Sequence, residues 1–123
     1  MPRGILLRLI DIHDAIDGIE AITGNITFDT FSTSWGTQRA VERGLEIISE
    51  ASRHVPEDLK SLAPDIPWRQ IAAIGNLLRH EYQRTDTLAV WNIVGEHLPR
   101  LSVAVERLII EAGPNGSADE SST

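Results

Sequence analysis

Ile5, Leu9, Ile12, Ile16 and Ile19 follow one another at alternating steps of four and three residues. This spacing tracks the 3.6-residue turn of an α-helix and builds one unbroken apolar face over about residues 4 to 22; a strand, alternating every second residue, would scatter the same side chains over both faces. The periodicity returns in Val41, Leu45 and Ile48 with Ala51 or Ser52, over Thr37 to about His54, where Pro56 limits continuation. It returns again in Trp91, Val94, Leu98, Leu101, Val105 and Leu108, a helix that Asp86 is placed to cap. Pro99 falls inside that last run. It removes a backbone donor and crowds the preceding turn, which predicts a kink or a split into two helices.

Between these stripes the chain is punctuated rather than periodic. Residues 23 to 36 mix turn formers with Phe28, Phe31 and Trp35, predicting a connection pinned to the core by its aromatic side chains, with room for a short helix. Pro56 to Pro67 reads as a loop with a helical turn near Glu57 to Leu62; Pro67 then fits the first turn of a further helix, with Asp65 as a nearby cap. That helix contains Gly75, which costs about 1 kcal/mol relative to Ala and calls for compensation, either a closely approaching helix or room for a bound group. The sum is an all-α, antiparallel four-helix-type bundle with short additional helices, a single domain over residues 1–112 followed by a disordered acidic tail at 113–123.

With no Cys, the chain has neither a disulfide framework nor thiolate metal ligands, and it lacks both a signal-like N-terminus and an apolar run long enough to span a bilayer. No membrane association and a cytoplasmic location are the default expectations. The acidic face of the first helix, Asp11, Asp14, Asp17 and Glu20, reads as solvated surface, since carboxylates on one helix give calcium or magnesium too few ligands. A net charge of −7 argues against a generic nucleic-acid coat, which needs Lys and Arg to neutralise phosphates. The charges are unevenly spread, however. Residues 36 to 110 carry nine basic against ten acidic groups, and ten of the chain's eleven basic residues are Arg, whose planar fork suits phosphate.

Chemistry concentrates in Ile74-Gly75-Asn76-Leu77-Leu78-Arg79-His80-Glu81-Tyr82-Gln83-Arg84. An imidazole exchanges protons near neutral pH, and guanidiniums grip phosphates with paired hydrogen bonds. Together they are what cleavage of RNA without a metal or other cofactor requires. The segment resembles the signature of the HEPN superfamily, in its HepT-like branch: Arg, Asn, three further residues, His, any residue, Tyr. Asn76, His80 and Tyr82 fall on its Asn, His and Tyr. Residues 38–51 resemble the family's second long helix, residues 64–72 the approach to its motif helix, and Val90-Trp91 with Leu98-Pro99-Arg100-Leu101 its last helix, so the likeness covers roughly residues 5 to 110. At the motif's arginine position this chain has Gly75, and Arg79, directly before the His, is the replacement expected here.

The resemblance implies an endoribonuclease, the toxin of a toxin–antitoxin pair. His80 would act as general acid and base on the ribose 2′-hydroxyl, leaving a 2′,3′-cyclic phosphate. Arg79 would meet the developing charge, with Asn76, Arg43 and Arg84 supporting or binding phosphate. It also implies a homodimer and a minimal nucleotidyltransferase antitoxin that adenylylates Tyr82, a modification that would set negative charge and bulk beside the cationic pocket. The alternative, raised by Gly75, is a catalytically weak HEPN module that binds nucleotide or RNA, or a dimeric adaptor for a nucleotidyltransferase.

Overall fold

The long apolar stripes become the helices of a bundle. The computed structural model describes residues 3–81 and 87–112, with side chains for 4–79 and 87–112. Helix α1 is Arg3–Thr23, α2 Phe28–Thr33, α3 Trp35–Ser52, α4 Glu57–Lys60, α5 Trp68–Glu81, α6 Thr87–Asn92 and α7 Leu98–Ala112, with a π-helical turn, Ile93–His97, between the last two. No strand occurs among the described residues, in keeping with the periodicity. The segment 113–123 and the Asp86 cap lie outside them.

Leu9, Ile12, Ile16 and Ile19 of α1, Val41, Leu45 and Ile48 of α3, and Leu98, Leu101, Val105 and Leu108 of α7 share one buried cluster. Each such side chain contributes about 1.5–3 kcal/mol by leaving water. Helix α1 packs against both α3 and α7, and α3 carries α5 on its far side. Where α1 crosses α3, a Cβ on Gly44 would stand 2.7 Å from Cγ1 and Cδ1 of Ile19, so any larger residue there would force the Ile19 side chain to move. Among the described residues, no helix is long and apolar enough to cross a membrane.

The connection from α1 to α3 contains the short helix α2. The Thr27 hydroxyl caps it by accepting from Thr30 N–H, and Ser34 caps the start of α3 by accepting from Thr37 N–H. Phe31 is buried with its ring 5.1 Å from that of Trp91, and Phe28 meets Trp91 edge-on at 6.1 Å. Trp35 departs from expectation. It is 72 % exposed, because it opens α3 on the solvent side, and the Arg39 guanidinium stacks over its ring at 5.6 Å.

The disturbance expected at Pro99 takes the form of the π-helical turn before it. Leu98 N–H bonds to the Ile93 carbonyl, five residues back. The wider turn accommodates the proline ring, so the helical backbone continues from Thr87 to Ala112 rather than splitting.

Candidate active site on the α3–α5 face

Helix α5 is seated on α3 by polar contacts. Ser49 is fully buried; its hydroxyl donates to the Ala72 carbonyl at 2.8 Å and accepts from Gly75 N–H at 2.9 Å. One turn on, Arg53 donates to the same carbonyl from Nε at 3.2 Å and Nη2 at 3.1 Å. Contacts that climb α3 while descending α5 make the pair antiparallel. A Cβ on Gly75 would meet Ser49 Oγ at 3.0 Å, Ser49 Cβ at 3.3 Å and Arg53 Nη2 at 3.4 Å. The compensation for Gly75 is thus the close approach of α3, made by side chains rather than backbone.

With Ser49 and Gly75 facing each other, 100° of rotation per residue assigns every other position to a flank. Leu45 and Ile48 of α3 and Ile71 and Leu78 of α5 turn to one flank, and all are buried in the core. Asn76, Arg79 and position 80 of α5 turn to the other, as do Arg39, Arg43 and Arg53 of α3. Asn76, Arg79 and these α3 arginines are exposed. The antiparallel register sets Arg43, six residues before Ser49, about 9 Å down α3, close to the level of position 80, about 7.5 Å along α5 from Gly75.

Of the residues singled out by sequence, the bundle therefore brings Arg43, Asn76, Arg79 and the backbone of His80 to one solvent-facing flank. The His80 side chain, Tyr82 and Arg84 lie outside the described residues. The flank also carries acid, which sorts its cations into two kinds. Arg39 grips Glu42 with two hydrogen bonds of 3.0 and 2.7 Å, and Arg53 Nη1 reaches Glu50 at 3.1 Å. Arg43 and Arg79 have no ion-pair partner among the described residues. The Glu50 carboxyl is held below its ordinary range by the hydrogen bond from His54, with the nearby Arg53 charge adding to it, so it is ionised beside the guanidinium.

Sequence reasoning passed over Ser49 and Arg53. The available signal was Gly75 itself: a costly glycine inside a helix implies something close against it, and a serine and arginine four apart on the facing helix are suited to reach it. It also passed over His13. That imidazole joins α1 to α7 through Glu106 at 3.0 Å and lies 3.4 Å from Asp17 on its own helix, away from the α3–α5 flank.

Comparison with known proteins places the chain among ribonucleases of one family. The ribonuclease HepT-like family matches over residues 12–108. A Thermococcus cleftensis protein named "Probable ribonuclease HepT" is 44% identical over 108 residues, covering 88% of this chain and 98% of that protein. A candidate RNase of Methanocaldococcus jannaschii is 33% identical over 104 residues, 85% of this chain and 95% of its own. One from Caldanaerobacter subterraneus is 31% identical over 108 residues, 88% and 94% of the two chains. No solved structure matches.

Proposed function

The chain belongs to the HepT-like ribonuclease family, and from that premise we propose that it is an endoribonuclease whose own side chains perform the cleavage. The observation that carries this reading is the shared flank: Asn76 and Arg79 of α5 open to solvent beside the arginines of α3, on the turn that leads into His80.

In the proposed reaction His80 removes the proton from a ribose 2′-hydroxyl. The freed oxygen attacks the adjacent phosphorus, the bond from phosphorus to the 5′-oxygen breaks, and a proton returns to that leaving oxygen. The products are a 2′,3′-cyclic phosphate and a 5′-hydroxyl. General acid–base assistance of this kind supplies about 10²–10⁴-fold. Charge on the phosphoryl oxygens rises in the transition state, and Arg79 is the cation nearest in sequence to answer it. Asn76, one turn before His80, orients the imidazole or holds a phosphate oxygen.

The biological setting we propose is that of a toxin silenced by a partner. Two copies would associate as a homodimer and share the RNA-binding groove, and a minimal nucleotidyltransferase would act as antitoxin by adenylylating Tyr82. An adenylyl group there adds negative charge and bulk next to the phosphate-binding cations, and both oppose RNA entry. Co-expression with such a partner should add an adenylyl mass to Tyr82 and abolish cleavage; inhibition with Tyr82 unmodified would replace modification by occlusion. RNA that is bound yet never cut would instead favour the binding-module reading.

A further inference from the structure

Gly75 does more than allow α5 to lie close to α3. With no side chain of its own there, it leaves the space beyond the Cβ position to Arg53, whose guanidinium, rooted on α3, ends on the surface of α5. Four hydrogen bonds to three partners fix it there: Nε and Nη2 to the Ala72 carbonyl, Nη2 to Ser49 Oγ at 3.4 Å, and Nη1 to Glu50. The carbonyl it grips lies one turn before Asn76, and Nη2 stands 3.4 Å from where a Cβ at position 75 would be. This is the position at which the resemblance to the HepT-like motif calls for an arginine.

We propose that Arg53 is a phosphate-binding residue of this ribonuclease, delivering from α3, across the opening left by Gly75, the guanidinium that α5 does not carry at that position. The inference rests on the ribonuclease reading above and adds to it a residue outside the motif. Geometry leaves the guanidinium able to act. Its Nε and Nη2 are occupied in anchoring it, whereas Nη1, with two N–H groups, holds only the Glu50 carboxylate, which is itself 56 % exposed. A phosphate oxygen can take the unoccupied N–H, or displace Glu50 and take the one it holds. Glu50 thereby acts as a stand-in anion that RNA must exchange for its own backbone. The anchoring contacts also hold the arginine in place before substrate arrives, so little side-chain order remains to be imposed on binding.

The test uses the full chain and an RNA oligonucleotide, with affinity measured against NaCl concentration in the His80→Ala background so that bound RNA is not consumed. Arg53→Gln is expected to weaken binding about tenfold and to lower the slope of log Kd against log salt by about 0.7, the signature of one phosphate contact on a single strand, which a purely structural residue would not change. With His80 intact, cleavage should fall about tenfold to a hundredfold, the range for losing one charged hydrogen bond, and Arg53→Lys should recover part of it. An unchanged salt slope with unchanged cleavage overturns the assignment. Should Arg53→Gln fail to fold, Glu50→Gln decides: RNA binding tightens several-fold, whereas Glu111→Gln, a control on α7 for lost negative charge alone, leaves it unchanged; equal effects overturn the proposal. Failure here is separable from failure of the ribonuclease reading. RNA cut by the unsubstituted protein, spared by His80→Ala and indifferent to Arg53 overturns Arg53 alone, whereas RNA neither bound nor cut overturns both.

Discussion

Two glycines on neighbouring seams of the bundle meet different company. Gly44 lets α1 and α3 close on the hydrocarbon of Ile19, while Gly75 lets α5 close on α3 through a hydroxyl and a guanidinium. The first contact is dry and dispersive, and its yield is stability. The second buries Ser49, binds backbone groups with charged and polar side chains, and brings a cation to the surface. Close packing at a helix seam can therefore serve either the core or a site, and the chemistry of what fills the gap distinguishes them.

The largest expected effect lies on the site side of this contrast. Arg79→Ala should lower RNA cleavage about 10²–10³-fold, as removal of one preorganised donor to a developing oxyanion does, while the melting temperature stays within a few degrees. Single-turnover cleavage assays alongside thermal unfolding would measure both. Wild-type rates would leave Arg53 as the phosphate-binding arginine and remove Arg79 from the reaction. On the core side, Gly44→Leu should destabilise by about 1–3 kcal/mol, because Ile19 already occupies the space, with cleavage per folded molecule unchanged. Urea unfolding with activity normalised to folded protein separates the two quantities. An activity loss exceeding the unfolded fraction would show that the seams are coupled.

Ser49→Ala should cost about 1–3 kcal/mol, since it removes a buried hydroxyl that serves Ala72 and Gly75 at once. It should also lower cleavage modestly by loosening Arg53, which makes it the substitution that touches both stability and site.

The smallest effect is expected at His13, which ties α1 to α7 away from both seams. Its hydrogen bond with the Glu106 carboxylate raises the imidazole pKa above the ordinary 6.5, and Asp17 adds to this against some desolvation. A raised folded-state pKa means that the stabilisation is complete below 6.5 and fades as pH rises through the raised value. The gap in melting temperature between wild type and His13→Gln should thus be visible in mild acid and close in alkali. A gap independent of pH would assign the residue a packing role.

Much of the fold could be read from residues because burial in helices obeys one period. Ile12, Leu45 and Leu108 sit where spacing by three and four puts them. Trp35 was misjudged because an aromatic ring beside a helix start is equally content under an arginine in solvent. The turn at Pro99 was anticipated as a disturbance, but whether a helix breaks or widens into a π turn depends on the packing around it. At the candidate site, the place of Asn76 and Arg79 on α5 was legible from their spacing to His80, because residues on one helix share a register. Arg53 was not, because its role depends on which face of α3 meets Gly75, a relation between segments over twenty residues apart in the chain.

Cleavage of RNA by the purified chain in EDTA, followed with and without His80→Ala and with chemical identification of the new ends, bears on the whole account. The expected result is fragments ending in 2′,3′-cyclic phosphate, and their loss by at least about 10²-fold in the variant. Equal cleavage by the two proteins, or no cleavage of any RNA by the unsubstituted chain, would contradict it.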